Sequence, residues 1–217
     1  MEIRLLVKFG AKEHLERMQK KGILYCNTIT YFSTIEDEHR GDPFESVNKL
    51  QYRENTVIQL KLANDPMSEW KNLNLTRMLY RETCKEPLGT LFCMSAFKLT
   101  PTKDISIFHF DKRFLDFRYA LIILRQDIFI QRLQEALSKL NFKTCINIVE
   151  YLHLHKYSGE KNLFQKNIKY SWQEELRIIF YTNKYKKYDP FEFSIGNFED
   201  TSEIIDLNVS KSLYYRL

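Results

Sequence analysis

The densest grouping of chemically capable side chains in this 217-residue chain is the run Gln173-Glu174-Glu175-Leu176-Arg177. In an extended strand, side chains alternate between faces, so Gln173, Glu175 and Arg177 would share one face while Leu176 and Ile178 take the other. An amide, a carboxylate and a guanidinium then stand in a row at the entrance to an apolar strand. A carboxylate half-buried there is costly unless paired, so the row requires mutual partners or a ligand. We expect Arg177 to pair with Glu175 or with a carboxylate of the acidic segment 36–45, and Glu174 to face away. The plain alternative is an edge strand carrying a solvated Glu175–Arg177 pair, which contributes little.

Other groupings are thinner. No GxGxxG, P-loop, HExxH or GxSxG motif occurs, so the common nucleotide, zinc and serine sites have no support. His153 and His155 lack Cys or carboxylate partners at ligand spacing apart from Glu150, and surface or hydrogen-bonded histidines are the default. No metal site is expected. Cys26, Cys84, Cys93 and Cys145 show no CxxC spacing; Cys26 and Cys93 fall in apolar runs, as buried free thiols do. Lys184-Tyr185-Lys186-Lys187-Tyr188 could track phosphates and stack bases, or be a solvated hairpin tip. In a nucleic-acid-cutting reading, Asp37, Asp42, Glu45 and Glu175 could hold Mg²⁺, although no spacing compels it.

A net charge of +5 permits an acidic partner without demanding one. A hydrophobic content of 44% argues against disorder. No linker-like run divides the chain, so one domain over residues 1–217 is expected. Neither a signal peptide nor a membrane-length apolar run occurs, which points to a cytoplasmic protein without membrane partners.

The elements that would position these residues follow from periodicity. Residues 3–9 read as a strand, then Ala11, Leu15 and Met18 recur at helical spacing up to Gly22, and 23–32 returns to strand. Residues 34–55 read as loop and 56–62 as strand. Trp70, Leu73, Met78 and Leu79 suggest a helix over 67–80. Residues 89–97, 119–124, 145–152, 172–182, 191–195 and 201–207 read as strands, with a helix capped by Asp127 running to Leu140. About three helices and eight strands, the last third being mostly strand, indicate an α+β fold with mixed, largely antiparallel sheets.

Over nearly its whole length the chain resembles a group of poorly characterised bacterial domains related to the DUF2971 type. The matching pieces are Val7-Lys8-Phe9-Gly10 with Lys12-Glu13-His14-Leu15, Asn27-Thr28 with Tyr31-Phe32, and Asp42-Pro43-Phe44-Glu45. Leu91 to Ser95, Val149-Glu150-Tyr151, Phe164-Gln165-Lys166, the Gln-x-Glu-x-Arg strand and Ile195 to Asp200 complete the series. The order of the pieces carries this resemblance. A more distant one, built on the opening strand–helix–strand unit, a strand ending near a serine and a late strand headed by Gln-x-Glu, is to mono-ADP-ribosyltransferases.

That second resemblance implies an ADP-ribosyltransferase-like fold and NAD as substrate, with a nucleobase or protein amide as acceptor. Glu175 would be the carboxylate that stabilises the oxocarbenium-like transition state, and Gln173 would orient the acceptor. Arg4 or Lys8 would stand for the first-strand basic residue near the phosphates, Tyr31 would stack on nicotinamide, and Ser95 would be what remains of a Ser-Thr-Ser element. A role as a toxin or phage-defence effector is implied by the family resemblance alone. A non-enzymatic interaction domain is the remaining alternative.

Overall fold

In the computed structural model, residues 3–35, 41–83, 89–100, 104–140, 143–181 and 189–216 are described. The chain opens with β1 (Ile3–Gly10), α1 (Lys12–Lys21), β2 (Ile23–Thr28) and a short α2 (Ile29–Thr34). Next come β3 (Val47–Leu60), β4 (Lys71–Thr83), β5 (Thr90–Leu99), β6 (Ser106–His109), β7 (Tyr119–Ile123) and α3 (Gln126–Lys139). The remaining strands are β8 (Lys143–Ile148), β9 (Glu150–Leu152), β10 (Gly159–Glu160), β11 (Gln165–Asn167), β12 (Glu175–Tyr181), β13 (Phe191–Ser194), β14 (Ser202–Asp206) and β15 (Ser212–Tyr215). The fold is α+β, its strands mostly antiparallel.

The main sheet is organised around β5. One of its edges is shared, because β1 pairs with the later half (Ile3↔Leu99 to Val7↔Ser95) and β2 with the earlier end (Asn27↔Leu91, Thr28↔Thr90). β12 pairs along the opposite edge from Glu175↔Ser95 to Phe180↔Thr90, and β8 lies outside β12. β7 and β14 extend the sheet beyond β1, and β13 extends it beyond β2. At the fork between β1 and β2, the Lys8 ammonium donates to the Cys93 carbonyl at 2.5 Å and lies 4.9 Å above the Phe92 ring.

The two faces of the sheet differ. On one, Leu6, Phe92, Met94, Ala96, Leu176, Ile178 and Phe180 form the main core with Leu15 and Met18 of α1 and Phe129 and Leu133 of α3. The other face carries two smaller apolar clusters. One gathers Val7, Phe97, Phe110 and Phe114, with Trp172 against it; the other gathers Ile29, Leu91 and Ile179. Between them the face is polar.

α1 begins and ends where its residues dictate. Glu13 stands in the first turn and Lys20 and Lys21 in the last, each opposing the backbone dipole. Gly22 closes the helix at φ 63°, and a Cβ there would collide with the Gly196 backbone.

Several elements depart from the periodicity. Residues 67–80 are not helical: 71–83 form β4, paired along β3, because Leu73 and Leu75 alternate with Asn72 and Asn74. Much of the expected loop 34–55 is the first part of β3. The strand at 23–32 stops at Thr28, whose Oγ1 accepts the Tyr31 N–H and caps α2. Asp127 is not the cap of α3; that position is Arg125, with which Asp127 pairs at 2.9 Å. The 145–152 stretch divides into β8 and β9. The Lys184–Lys187 cluster, Asp37 and Cys84 lie outside the described residues.

Candidate functional site

β12 starts at Glu175, and not at Trp172 as its sequence suggested. Residues Ile168–Gln173 form a 3₁₀ turn, and Glu174 follows in the left-handed region at φ 40°. Its carbonyl accepts the Ala96 N–H and its side chain accepts the Lys98 N–H, so Glu174 faces away from its neighbour as expected. From Glu175 onward alternation is regular: Leu176, Ile178 and Phe180 enter the main core, while Glu175 and Arg177 occupy the polar stretch of the opposite face.

Four charged groups interlock there. Arg177 Nε donates to Glu175 Oε1 at 2.7 Å, Nη1 to Glu45 Oε2 at 2.9 Å and to the Leu163 carbonyl at 2.5 Å, and Nη2 to Glu45 Oε1. Lys166 Nζ donates to Glu175 Oε2 at 3.0 Å and to Gln173 Oε1 at 2.8 Å. Arg177, Glu45, Lys166 and Glu175 are all buried, Arg177 being only 1% exposed. Arg177 therefore pairs with both of the carboxylates anticipated for it.

The supports come from distant segments. β9 and β11 run parallel beside the head of β12, placing Lys166 opposite Tyr151. The Tyr151 hydroxyl accepts the Glu175 backbone N–H at 2.9 Å. Glu45 is held in a turn after Asp42, and the Tyr170 hydroxyl donates to the Gly41 carbonyl beside it.

The arrangement fixes charge states. Burial alone would push the Glu175 carboxyl up, but Arg177 and Lys166 outweigh it and hold Glu175 well below the usual carboxylate range. Burial would lower Lys166, yet Glu175 and Glu45 keep it above the ordinary lysine value. The Cys93 thiol is raised by burial and by the Glu175 charge, which makes it a poor nucleophile.

At the rim of this network lies a less satisfied pair. Asp42 is 1% exposed and its Oδ2 has no hydrogen-bond donor among the described residues. Burial and then the neighbouring Glu45 raise its carboxyl. The ammonium of Lys161, also buried, makes a long bond of 3.4 Å to the Asn162 carbonyl, and burial lowers it against the pull of Glu45.

The structure brings some of the expected residues together and separates others. Ser95 stands directly across from Glu175 and next to Val7 in one row over three strands. Gln173, though in the turn, reaches Glu175 through Lys166. Arg4 and Lys8 do share a face, but it is the face of Leu6 and Ala96, opposite Glu175; they bond to the Ala96 and Cys93 carbonyls. The first-strand residue in the Glu175 row is Val7. Tyr31 is 38% exposed on α2 and packs edge-on against Phe32.

Asp42, Glu45 and Glu175 do not form a cation cage, since Arg177 and Lys166 stand between Glu45 and Glu175. Among the described residues no group of three His, Cys, Asp or Glu could hold a metal ion. His153 and His155 are exposed, and His155 packs edge-on against Phe44. Lys166, Lys161 and Tyr151 carried no signal in spacing; Lys166 and Tyr151 appeared only within pieces of the family resemblance. A groove of about 360 Å³ between α3 and β13, lined by Arg132, Lys139, Phe193 and Gly196 among others, lies away from this network.

Comparison with protein-family models, with curated proteins and with solved structures gives no match. No helix among the described residues is long and apolar enough to cross a membrane.

Proposed function

We propose that the head of β12 is the working end of an ADP-ribosyltransferase-like enzyme with NAD as its substrate. The observation that carries this reading is the Lys166 ammonium, which joins Gln173 Oε1 to Glu175 Oε2 and so holds both residues of the Gln-x-Glu pair in one place. Glu175 stays ionised, and a fixed negative charge is what a developing oxocarbenium ion requires. In the reaction the ribose C1′–nitrogen bond breaks with its electron pair leaving on nicotinamide. An acceptor nitrogen then bonds to C1′ and gives up its proton to solvent. Gln173, an amide that donates and accepts, suits an amide or nucleobase acceptor.

The phosphates of the dinucleotide would not be met by Arg4 or Lys8, which lie across the sheet. Lys161, a buried cation beside this network whose ammonium makes a long bond of 3.4 Å, is the better candidate. A second reading is favoured by the burial of Glu175, 6% exposed with both oxygens already bonded: the network would be a keystone of a non-enzymatic interaction domain.

Incubation with labelled NAD, cell protein and nucleic acid separates the two. The transferase reading expects label on an acceptor, and Glu175→Gln should lower transfer per folded molecule by roughly a hundredfold. NAD at a hundred times its dissociation constant should also add about 2.7 kcal/mol, a melting shift of roughly 5–10 °C. No label and no shift would leave the interaction domain.

A further inference from the structure

Every buried charged side chain among the described residues belongs to one group: Asp42, Glu45 and Glu175 against Lys161, Lys166 and Arg177. Two of the carboxylates arrive on a single short turn, in which the Glu45 N–H donates to the Asp42 carbonyl at 2.9 Å. The other four groups come from residues 161–177. Glu45 fills the fork of Arg177, taking Nη1 on Oε2 at 2.9 Å and Nη2 on Oε1, and lies 3.8 Å from the Lys166 ammonium. A guanidinium fork matches a phosphate as well as it matches a carboxylate.

The turn closes this group without satisfying it. Asp42 has no donor to Oδ2 among the described residues, and burial and then the charge of Glu45 raise its carboxyl. Lys161 is set beside β3 by its backbone N–H, 2.7 Å from the Asn48 carbonyl, while its buried ammonium makes a long bond of 3.4 Å. Burial lowers that ammonium, and Glu45 and Asp42 pull against the loss. Like charges thus crowd the turn while a buried donor group stands beside it weakly engaged. Two contacts hold the turn shut: the Tyr170 hydroxyl donates to the Gly41 carbonyl, and Phe44 is seated among Val47, Leu50 and Leu154.

We propose that Glu45 is a displaceable stand-in for a ligand, and that the fork of Arg177 with Lys166 and Lys161 is a diphosphate site. With Asp42 and Glu45 withdrawn, three cations face one carboxylate, Glu175, which leaves a surplus of two positive charges. The diphosphate of a dinucleotide carries the matching two negative charges. A ligand with a single carboxylate would leave a buried cation unpaired, which is unfavourable. Opening of the turn is then what lets a ligand reach Glu175, because Glu175 shares Arg177 and Lys166 with Glu45. Burial of Phe44 returns the turn to its closed position. Naming a dinucleotide rests on the transferase reading; the diphosphate site stands apart from it.

Calorimetric titration with inorganic pyrophosphate at fixed ionic strength tests the site without involving any transfer. Wild type should bind pyrophosphate and should not bind adenosine, which has no phosphate. Glu45→Gln, nearly the same in shape, removes a like charge and should tighten binding at least about tenfold. If that variant does not fold, Asp42→Asn removes the other charge of the turn, keeps the acceptor for the Phe44 N–H and should tighten binding too. Tyr170→Phe frees the turn but keeps the ring, and should also tighten binding, a gain that an anion settling on surface lysines would not show. Lys161→Met should weaken binding about tenfold or more while leaving the melting temperature of the free protein unchanged or higher, since a weakly bonded buried charge is removed. If none of the three tightening variants binds pyrophosphate better than wild type, Glu45 is a fixed part of the fold and the proposal falls. Unchanged affinity in Lys161→Met overturns it as well. Pyrophosphate binding with no label transferred from NAD would sink the transferase reading and keep the diphosphate site.

Discussion

Replacing Arg177 by methionine keeps most of the side-chain volume and removes only the charge and its donors. Arg177 bonds to Glu45 through two nitrogens, to Glu175 at 2.7 Å and to the Leu163 carbonyl. The variant leaves two buried carboxylates with Lys166, at 3.0 and 3.8 Å, as their ion-pair partner among the described residues. Breaking a buried ion pair from one side costs about 3–5 kcal/mol, which for a chain of this size is a fall of roughly 6–20 °C in melting temperature.

The pH dependence should also change sign. In the wild type the Glu175 carboxyl sits below its unfolded value of 4.5, so its contribution is complete above that value and is lost as pH falls through the folded one. Without Arg177, burial and the like charge of Glu45 prevail for at least one carboxyl, which then sits above its unfolded value. The variant should gain stability as pH falls through that raised value, and its deficit against wild type should shrink between pH 7.5 and 5. Urea melts at both pH values measure this. A deficit below about 1 kcal/mol, or one equal at both pH values, would refute the account of a charge-balanced buried network.

Three further outcomes follow from individual contacts. Glu174→Gln should change stability by less than about 1 kcal/mol, since the amide oxygen can still accept the Lys98 N–H at the surface; chemical denaturation checks it. Asp42→Asn should cost less than Asp42→Ala, because Asn keeps the acceptor for the Phe44 N–H while removing a charge whose second oxygen has no donor among the described residues; thermal melts at neutral pH rank the two. Lys8→Met should lower the melting temperature yet leave any NAD-induced shift intact, because Lys8 closes the sheet fork on the face away from Glu175.

Much of the frame was legible locally. The opening strand and helix with its Gly22 stop, β5, β7, β13 and β14 each announce themselves within a few residues, and so did the demand of Arg177 for a carboxylate. The errors have physical causes. Trp70, Leu73, Met78 and Leu79 fit one helical face almost as well as Leu73 and Leu75 fit a strand, and pairing with β3 decided between them. The β-prone run Ile29-Thr30-Tyr31-Phe32 is helical because Thr28 caps it and Ile29 is wholly buried. Lys166 sits in a polar stretch whose burial depends on Glu45, far away in the chain. The face taken by Arg4 and Lys8 depends on register with β5, which no local pattern specifies.

The shared edge of β5 has a consequence for how the chain is made. β1, β2 and β12 all take their register from this one strand, and two of its three partners leave the ribosome before it does. When residues 90–99 emerge, β1 and β2 can settle along one edge at once. The other edge, and the hydrophobic face that Leu176, Ile178 and Phe180 complete, stay open until residues 175–181 are synthesised. Non-local pairing of this kind folds slowly and leaves an adhesive edge exposed meanwhile. Fragments ending before β12 should therefore be recovered as aggregates or bound to chaperones, and those extending past β14 as soluble protein.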